Sequence, residues 1–374
     1  MEMDNRSAGV PSELRAKNLE TIFGIIFKHQ PISRTEVSNY SGISKPTVSK
    51  LIRSLLDDEF LIEVGKTSEG LGKKRILLSL NPEKAYTITA DIGLKNTIIS
   101  IVDLSMDISE QCVISTSKNL DKFVKEFSAS VADYVEKKKV YPAYLVVSVP
   151  GLVKSNLREA INIPLLHWEN IDLARLIEDE LDEKGISIKV FINNDAKLAT
   201  LAEVSLNPEL PGNQKNIICV LVKEGIGTGL FLDGRLYTGS NHTAGEFGHM
   251  VIDRSGPGCS CGRNGCWLTM AGSRELEKYV KDSRLVEYIE IFSVGLMNII
   301  NALDPDIVVV NGAIEKYWKD IYPVLVKKLK QHYLNNFPEK IKLLSSTFDD
   351  RVGPLLGGAL MSFRKYIQKE TGSS

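Results

Sequence analysis

Gly245-Glu246-Phe247-Gly248-His249 and, ten positions beyond its histidine, Cys259-Ser260-Cys261-Gly262-Arg263-Asn264-Gly265-Cys266 form the stretch on which the chain turns. Thiolate and imidazole are ligands that zinc prefers, and close cysteines separated by glycines let the backbone fold several sulfurs around one small ion. The spacing predicts a Cys3His zinc site made by His249, Cys259, Cys261 and Cys266. Four protein ligands close the coordination sphere, so the site is expected to be structural rather than hydrolytic. A disulfide between two of the cysteines is the competing expectation. Against it stand a polar N-terminus with no apolar signal region and two further thiols, Cys112 and Cys219, set in apolar, strand-like runs.

The 374 residues, 43% of them hydrophobic, suffice for two or three globular units, and a net charge of -1 argues against a protein that coats nucleic acid or a membrane surface. No uninterrupted apolar run approaches the roughly 20 residues that span a bilayer. The expectation is a soluble cytoplasmic protein with no membrane partner and a disordered N-terminus over residues 1–12. Residues 11–80 depart from the average, with 11 Lys or Arg against 8 Asp or Glu. A local basic excess permits nucleic-acid binding there.

Leu19, Ile22, Phe23, Ile25, Ile26 and Phe27 make a helical stripe over residues 14–27, and Pro31 breaks it. Ser33 with Glu36 predicts a capping box for a second helix, which Gly42 ends. Ser44 caps a third helix, with Pro46 in the first turn, where a missing N–H costs nothing. Helix, glycine-containing turn, helix is the helix-turn-helix pattern. Val48, Leu51, Ile52 and Leu55 form the inward face of the third helix. Arg34 and, around that helix, Ser44, Lys45, Thr47, Ser49, Lys50 and Arg53 are the candidates to meet a major groove and its phosphates. Residues 60–64 and 75–80 predict two strands whose connecting loop ends in Lys73, Lys74 and Arg75, a basic wing. A small helical adaptor with solvated lysines is the plainer alternative.

From residue 86 strands and helices alternate, which predicts an α/β architecture with mixed sheets. Residues 87–93, 97–102, 144–149 and 190–195 supply one set of strands. A second, equivalent pass begins at residue 216, turns through Gly225-Ile226-Gly227-Thr228-Gly229 and returns to residue 233. Two strand-led glycine turns predict two related lobes with a cleft between them. Turns at Asn311-Gly312 and at residues 353–359 are expected to end the second lobe.

On these motifs the chain resembles the ROK family of repressors and sugar kinases, and within it the xylose-repressor-like branch, over nearly its whole length from about Leu14. The resemblance implies an N-terminal winged helix-turn-helix (residues 13–82) followed by an actin-like, hexokinase-type two-lobed ATPase fold. Its first lobe would cover residues 83–200, and its second, with the zinc site and C-terminal helices, residues 201–374. It implies zinc on His249, Cys259, Cys261 and Cys266, and a sugar held beside it by Asn194, Asp195, Glu246 and His249. In a kinase Asp195 would be the catalytic base. Taken alone, Asn-Asp at a strand end is more simply a turn or a helix cap.

The phosphate loops depart from the family pattern. Where it has Asp-x-Gly-Gly-Thr, this chain has Asp91-Ile92-Gly93-Leu94-Lys95, and where it has Gly-Thr-Gly-x-Gly, this chain has Lys223-Glu224-Gly225-Ile226-Gly227. Side chains replace the glycine and hydroxyl that approach phosphate, and Glu224 brings like charge; Lys95 or Lys223 offers the only rescue. Leu268 stands where kinases carry a sugar-binding Glu. ATP and Mg2+ are therefore not expected. The resulting expectation is a homo-oligomeric, dimeric or tetrameric, sugar-responsive DNA-binding repressor with structural zinc. An ATP-dependent hexose kinase with an appended DNA-binding domain is the alternative, and control by a protein partner is a third.

Overall fold

The computed structural model describes residues 11–66, 74–138, 142–210, 214–332 and 341–370. Its first helix, Pro11–His29, leads into a capping box in which Glu36 accepts the Ser33 backbone N–H at 2.9 Å and Ser33 Oγ accepts the Glu36 N–H at 3.4 Å. That box starts the helix Arg34–Ser41, and Gly42 ends it at φ 68°. Ser44 caps Lys45–Asp57, and Val48, Leu51, Ile52 and Leu55 are its buried face, as the spacing requires. Leu61–Lys66 and Ile76–Leu80 pair antiparallel to form the wing. A third strand, Ile32–Ser33, also pairs with Ile76–Leu80; two residues are too few to leave a periodic signal in the sequence.

The remainder holds two five-stranded sheets built alike. In the first, Tyr86–Ile92, Asn96–Asp103 and Ile108–Ser115 form an antiparallel meander, and Leu145–Val149 and Val190–Asn194 add in parallel on the other side of Tyr86–Ile92. In the second, Ile217–Val222, Ile226–Leu232 and Arg235–Tyr237 make the meander, and Ile307–Gly312 and Lys342–Ser345 the parallel extension. The central strands Leu145–Val149, Ile217–Val222 and Ile307–Gly312 are buried at every position, as strands covered on both faces must be. The helix Leu285–Leu303 is long and apolar enough to cross a membrane, yet it turns Tyr288, Ile289, Phe292 and Leu296 into the second-lobe core.

The C-terminal helix corrects the expected domain boundary. Val352–Glu370 packs on Tyr86–Ile92 and Leu145–Val149 of the first sheet and on the helix Asp195–Leu206. Residues 353–359 thus lie inside a helix of the first lobe, where turns closing the second were expected. Gly357 makes the crossing close: a Cβ there would stand 1.9 Å from the Leu198 carbonyl oxygen. Helix propensity alone would make Gly357→Ala stabilising by ~1 kcal/mol. The crossing reverses the sign, and urea unfolding of G357A should register a loss of ~1–3 kcal/mol. A more stable variant would contradict this packing.

Candidate functional site

Two short elements bring the site together. The helix Asp195–Leu206 begins where the strand Val190–Asn194 ends, and the turn Phe247–His249 lies across the strand Ile226–Leu232. A Cβ on Gly245 would meet Thr228 O at 2.3 Å and one on Gly248 would meet Ile226 O at 2.1 Å, so only glycine lets the Gly-Glu-x-Gly-His backbone lie flat on that strand. Glu246, directly before that turn, is exposed to solvent. Desolvation raises its pKa, against the pull of His249 and Lys197.

Asn194 is a helix cap in this arrangement. Its Oδ1 accepts the Lys197 N–H at 3.1 Å, and its Nδ2 donates to Gly151 O and to Asp195 Oδ1 at 3.1 and 3.2 Å. Asp195 is 8% exposed. Burial first, then the neighbouring carboxylates Asp91 and Glu246, push its pKa up to about 6, against the pull of Lys223. Lys197, on the first turn of the same helix, is buried and donates to the carbonyl of His242 in the loop that leads to Glu246. Nothing in its local pattern singles Lys197 out beyond a cation directly after Asn-Asp-Ala.

The phosphate loops meet at an ion network that the sequence did not predict. Asp91 is fully buried and accepts from Ser148 Oγ at 2.6 Å. Lys223 reaches Asp91 at 3.5 Å and Asp195 at 3.8 Å. Burial pulls the Lys223 ammonium down, but Asp91 and Asp195 outweigh it and the net shift is upward. Arg351 pairs with Asp91 and donates to the carbonyls of Asp91 and Asn96 at 2.7 and 3.1 Å. Its Nη1 lies 2.5 Å from where a Cβ on Gly93 would be. The first loop is thus filled by Arg351, whereas Lys95 and Glu224 are exposed. Lys223, the proposed rescuer, is committed to Asp91 and Asp195. No local motif could have revealed Arg351, which comes from a segment 260 residues after Asp91. Leu268 packs against the second-lobe core.

His249, Cys259, Cys261 and Cys266 bring their ligand atoms within 4.8 Å of one another. Cys259 Sγ lies 3.5 Å from His249 Nδ1 and Cys261 Sγ lies 3.6 Å from Cys266 Sγ. A tetrahedral ion bound at ~2.3 Å to sulfur and ~2.0 Å to nitrogen requires edges of roughly 3.5–3.8 Å. The residues therefore fit a metal. Among the described residues all five cysteines are free, which removes the disulfide alternative from this structure. Burial raises the Cys261 thiol, but hydrogen bonds from the backbone and side chain of Arg263 outweigh it and bring it down to about 6. Trp267, directly after Cys266, anchors the loop in the core, 5.3 Å from the Phe292 ring.

The DNA-facing candidates separate into two groups. Ser44, Lys45, Ser49, Lys50 and Arg53 are exposed and Thr47 is half-buried. Ser44 is tied to the cap it forms with Thr47, and Arg34 pairs with Glu63 of the wing at 3.8 Å. Lys74 and Arg75 are exposed, and Lys73 lies outside the described residues.

The ROK family profile matches residues 87–294, more than half of the chain, and the chain belongs to this family. Among curated proteins it is 27% identical over 323 residues to the xylose repressor of Bacillus spizizenii, covering 79% of this chain and 82% of that one. It is 22% identical to the Escherichia coli DNA-binding transcriptional dual regulator NagC, covering 89% of each. A crystal structure of a ROK family transcriptional regulator, described as a homolog of the E. coli MLC protein, superposes with TM-score 0.76 at 19% identity, covering 96% of this chain and 99% of that one. A ROK glucokinase from Streptomyces griseus, in complex with glucose and AMPPNP, superposes at 0.64 with 20% identity, covering 74% of this chain and 99% of that one. The kinase match and the profile together define the body, and the regulator match extends over the helix-turn-helix.

Metal at the four-ligand cluster should hold the loop that ends in Trp267. Treating the purified chain with a chelator is expected to remove one metal ion per chain, and for 374 residues losing even ~3 kcal/mol would lower the thermal midpoint by roughly 4 °C. An unchanged midpoint on metal loss would contradict a structural centre.

Proposed function

We propose that the chain is a sugar-responsive transcriptional repressor of carbohydrate-utilisation genes, with zinc at His249, Cys259, Cys261 and Cys266. The observation that carries this is the joining of a winged helix-turn-helix, its third helix exposing Lys45, Ser49, Lys50 and Arg53, to a cleft whose nucleotide half is filled by Arg351 and Lys223. The relatives named xylose repressor and N-acetylglucosamine repressor support it. Carboxylates suit a sugar because each accepts from two adjacent hydroxyls, so Asp195 and Glu246 orient the ligand while His249 joins the sugar wall to the metal loop. Asn194 contributes by fixing the start of the helix that carries Asp195. When bound, zinc supplies rigidity to the loop beyond Glu246, and no part of the chemistry passes through it.

DNA recognition needs two copies. In a dimer or tetramer two recognition helices must fit half-sites roughly one helical turn or a multiple apart, so a small change in their spacing removes much of the affinity. The expected setting is the cytoplasm. Lys50→Ala with Arg53→Ala should weaken binding to the chain's own upstream DNA by roughly 10-fold or more and reduce the salt slope by about 1–2. Unchanged affinity and slope would remove the DNA-binding assignment.

A second reading, a hexose kinase, is favoured by one observation: Asp195 is retained at a helix start with its pKa at about 6, suited to a base. ATP and Mg2+ would have to displace Lys223 and Arg351 from Asp91. Coupled ADP release with glucose, xylose and N-acetylglucosamine decides the matter. None is expected above the no-sugar rate, and sugar-dependent release would overturn the non-enzymatic assignment.

A further inference from the structure

The helix Asp195–Leu206 has ten of its twelve residues buried, and each of its sides is occupied by a different part of the molecule. Its first turn holds Asp195 and Lys197, at the cleft. One side meets the second lobe across only the small side chains of Ala196 and Thr200. A Cβ on Gly227 would stand 2.9 Å from Ala196 Cβ, and one on Gly229 would stand 1.8 Å from Thr200 Oγ1, so the hairpin backbone rests directly on the helix. Glu203 bonds to Ser346, just beyond the last strand of the second sheet. Another side meets the C-terminal helix at Gly357.

The far end of this helix reaches the DNA-binding domain. Leu201 and Ala202 belong to one continuous apolar cluster with Leu19, Ile22, Phe23 and Ile26 of the first helix. Lys28 donates to the carbonyl of Val204 at 3.4 Å, and Arg364 of the C-terminal helix donates to Ser205 Oγ at 3.1 Å. From Lys197 to Val204 is about 10 Å of helix. A packed interior has few intermediate arrangements, so a helix gripped on every side moves as a unit or not at all.

We propose that the helix Asp195–Leu206 transmits the state of the cleft to the DNA-binding domain, with Lys197 as the positioning residue at its cleft end and the Lys28–Val204 contact as its output. This rests on the regulator function proposed above and assigns its route. Movement of the second lobe reaches the helix through the hairpin at Gly227 and Gly229. The helix then shifts its seat on Pro11–His29 and with it the recognition helix.

The test is a double-mutant cycle on the full chain, with Lys197→Met at one end, Lys28→Met at the other, and affinity for the chain's own upstream DNA as the readout. A connecting helix makes the double variant depart by ~3-fold or more from the product of the single effects, whereas agreement within ~2-fold would overturn the proposal. Should K197M fail to fold, Glu246→Gln on the solvent-reached cleft wall replaces it in the same cycle. A wild-type chain with no specific DNA affinity would count against the regulator function and leave the route to be read by amide exchange. A cleft-end variant that alters protection across residues 11–29 supports the route, and unaltered protection there overturns it.

Discussion

A carboxylate removed from water needs a counter-charge at close range, and Asp91 and Asp195 are two buried carboxylates that share Lys223. Lys223 and Arg351 answer that requirement, and both come from beyond the first sheet. Lys223 follows the opening strand of the second sheet, and Arg351 precedes the helix that returns to the first. The charge requirement therefore ties the lobes to each other and fixes where the C-terminal helix starts. Deleting Lys223 would leave Asp195 without its counter-charge, and deleting Arg351 would leave one ammonium to serve two carboxylates, so the network behaves as one unit.

Under the proposed function, that arrangement adapts a fold shared with a ROK glucokinase to sensing. The region where a nucleotide would need counter-ions and open backbone is taken by side chains that already satisfy one another. Glu246, proposed to take part in holding the sugar, stays exposed. On the route proposed above, sugar binding acts through Asp195, which heads a helix whose far end packs in the core of the DNA-binding domain. Differential affinity of the ligand for two lobe arrangements is all that such a device requires.

Features set by local chemistry were legible in the sequence. Ser33 and Glu36, Gly42, and Ser44 with Pro46 act within a few residues of themselves, so the helices of the DNA-binding domain followed from spacing. The four-ligand cluster was legible for the same reason, its three cysteines lying within eight positions. The repeated strand-led turns foretold two sheets of matching topology. Long-range choices were not legible. Arg351 reaches Asp91 across 260 positions, Lys197 looks like any surface lysine until the His242 loop covers it, and nothing in residues 353–359 says which sheet they will cover. Leu94 and Lys95 were the residues read as blocking a phosphate loop, but Lys95 faces solvent and it is Arg351 that lies against Gly93.

The proposed function requires that sugar binding beside Asp195 and Glu246 control DNA affinity. It is tested most directly by fluorescence anisotropy of the full chain on its own upstream DNA, titrated at fixed salt with xylose, glucose, N-acetylglucosamine and their phosphates. One of these is expected to weaken DNA binding within the ~5–150-fold range of ordinary allosteric coupling. Tight DNA binding that is indifferent to every one of them would contradict it.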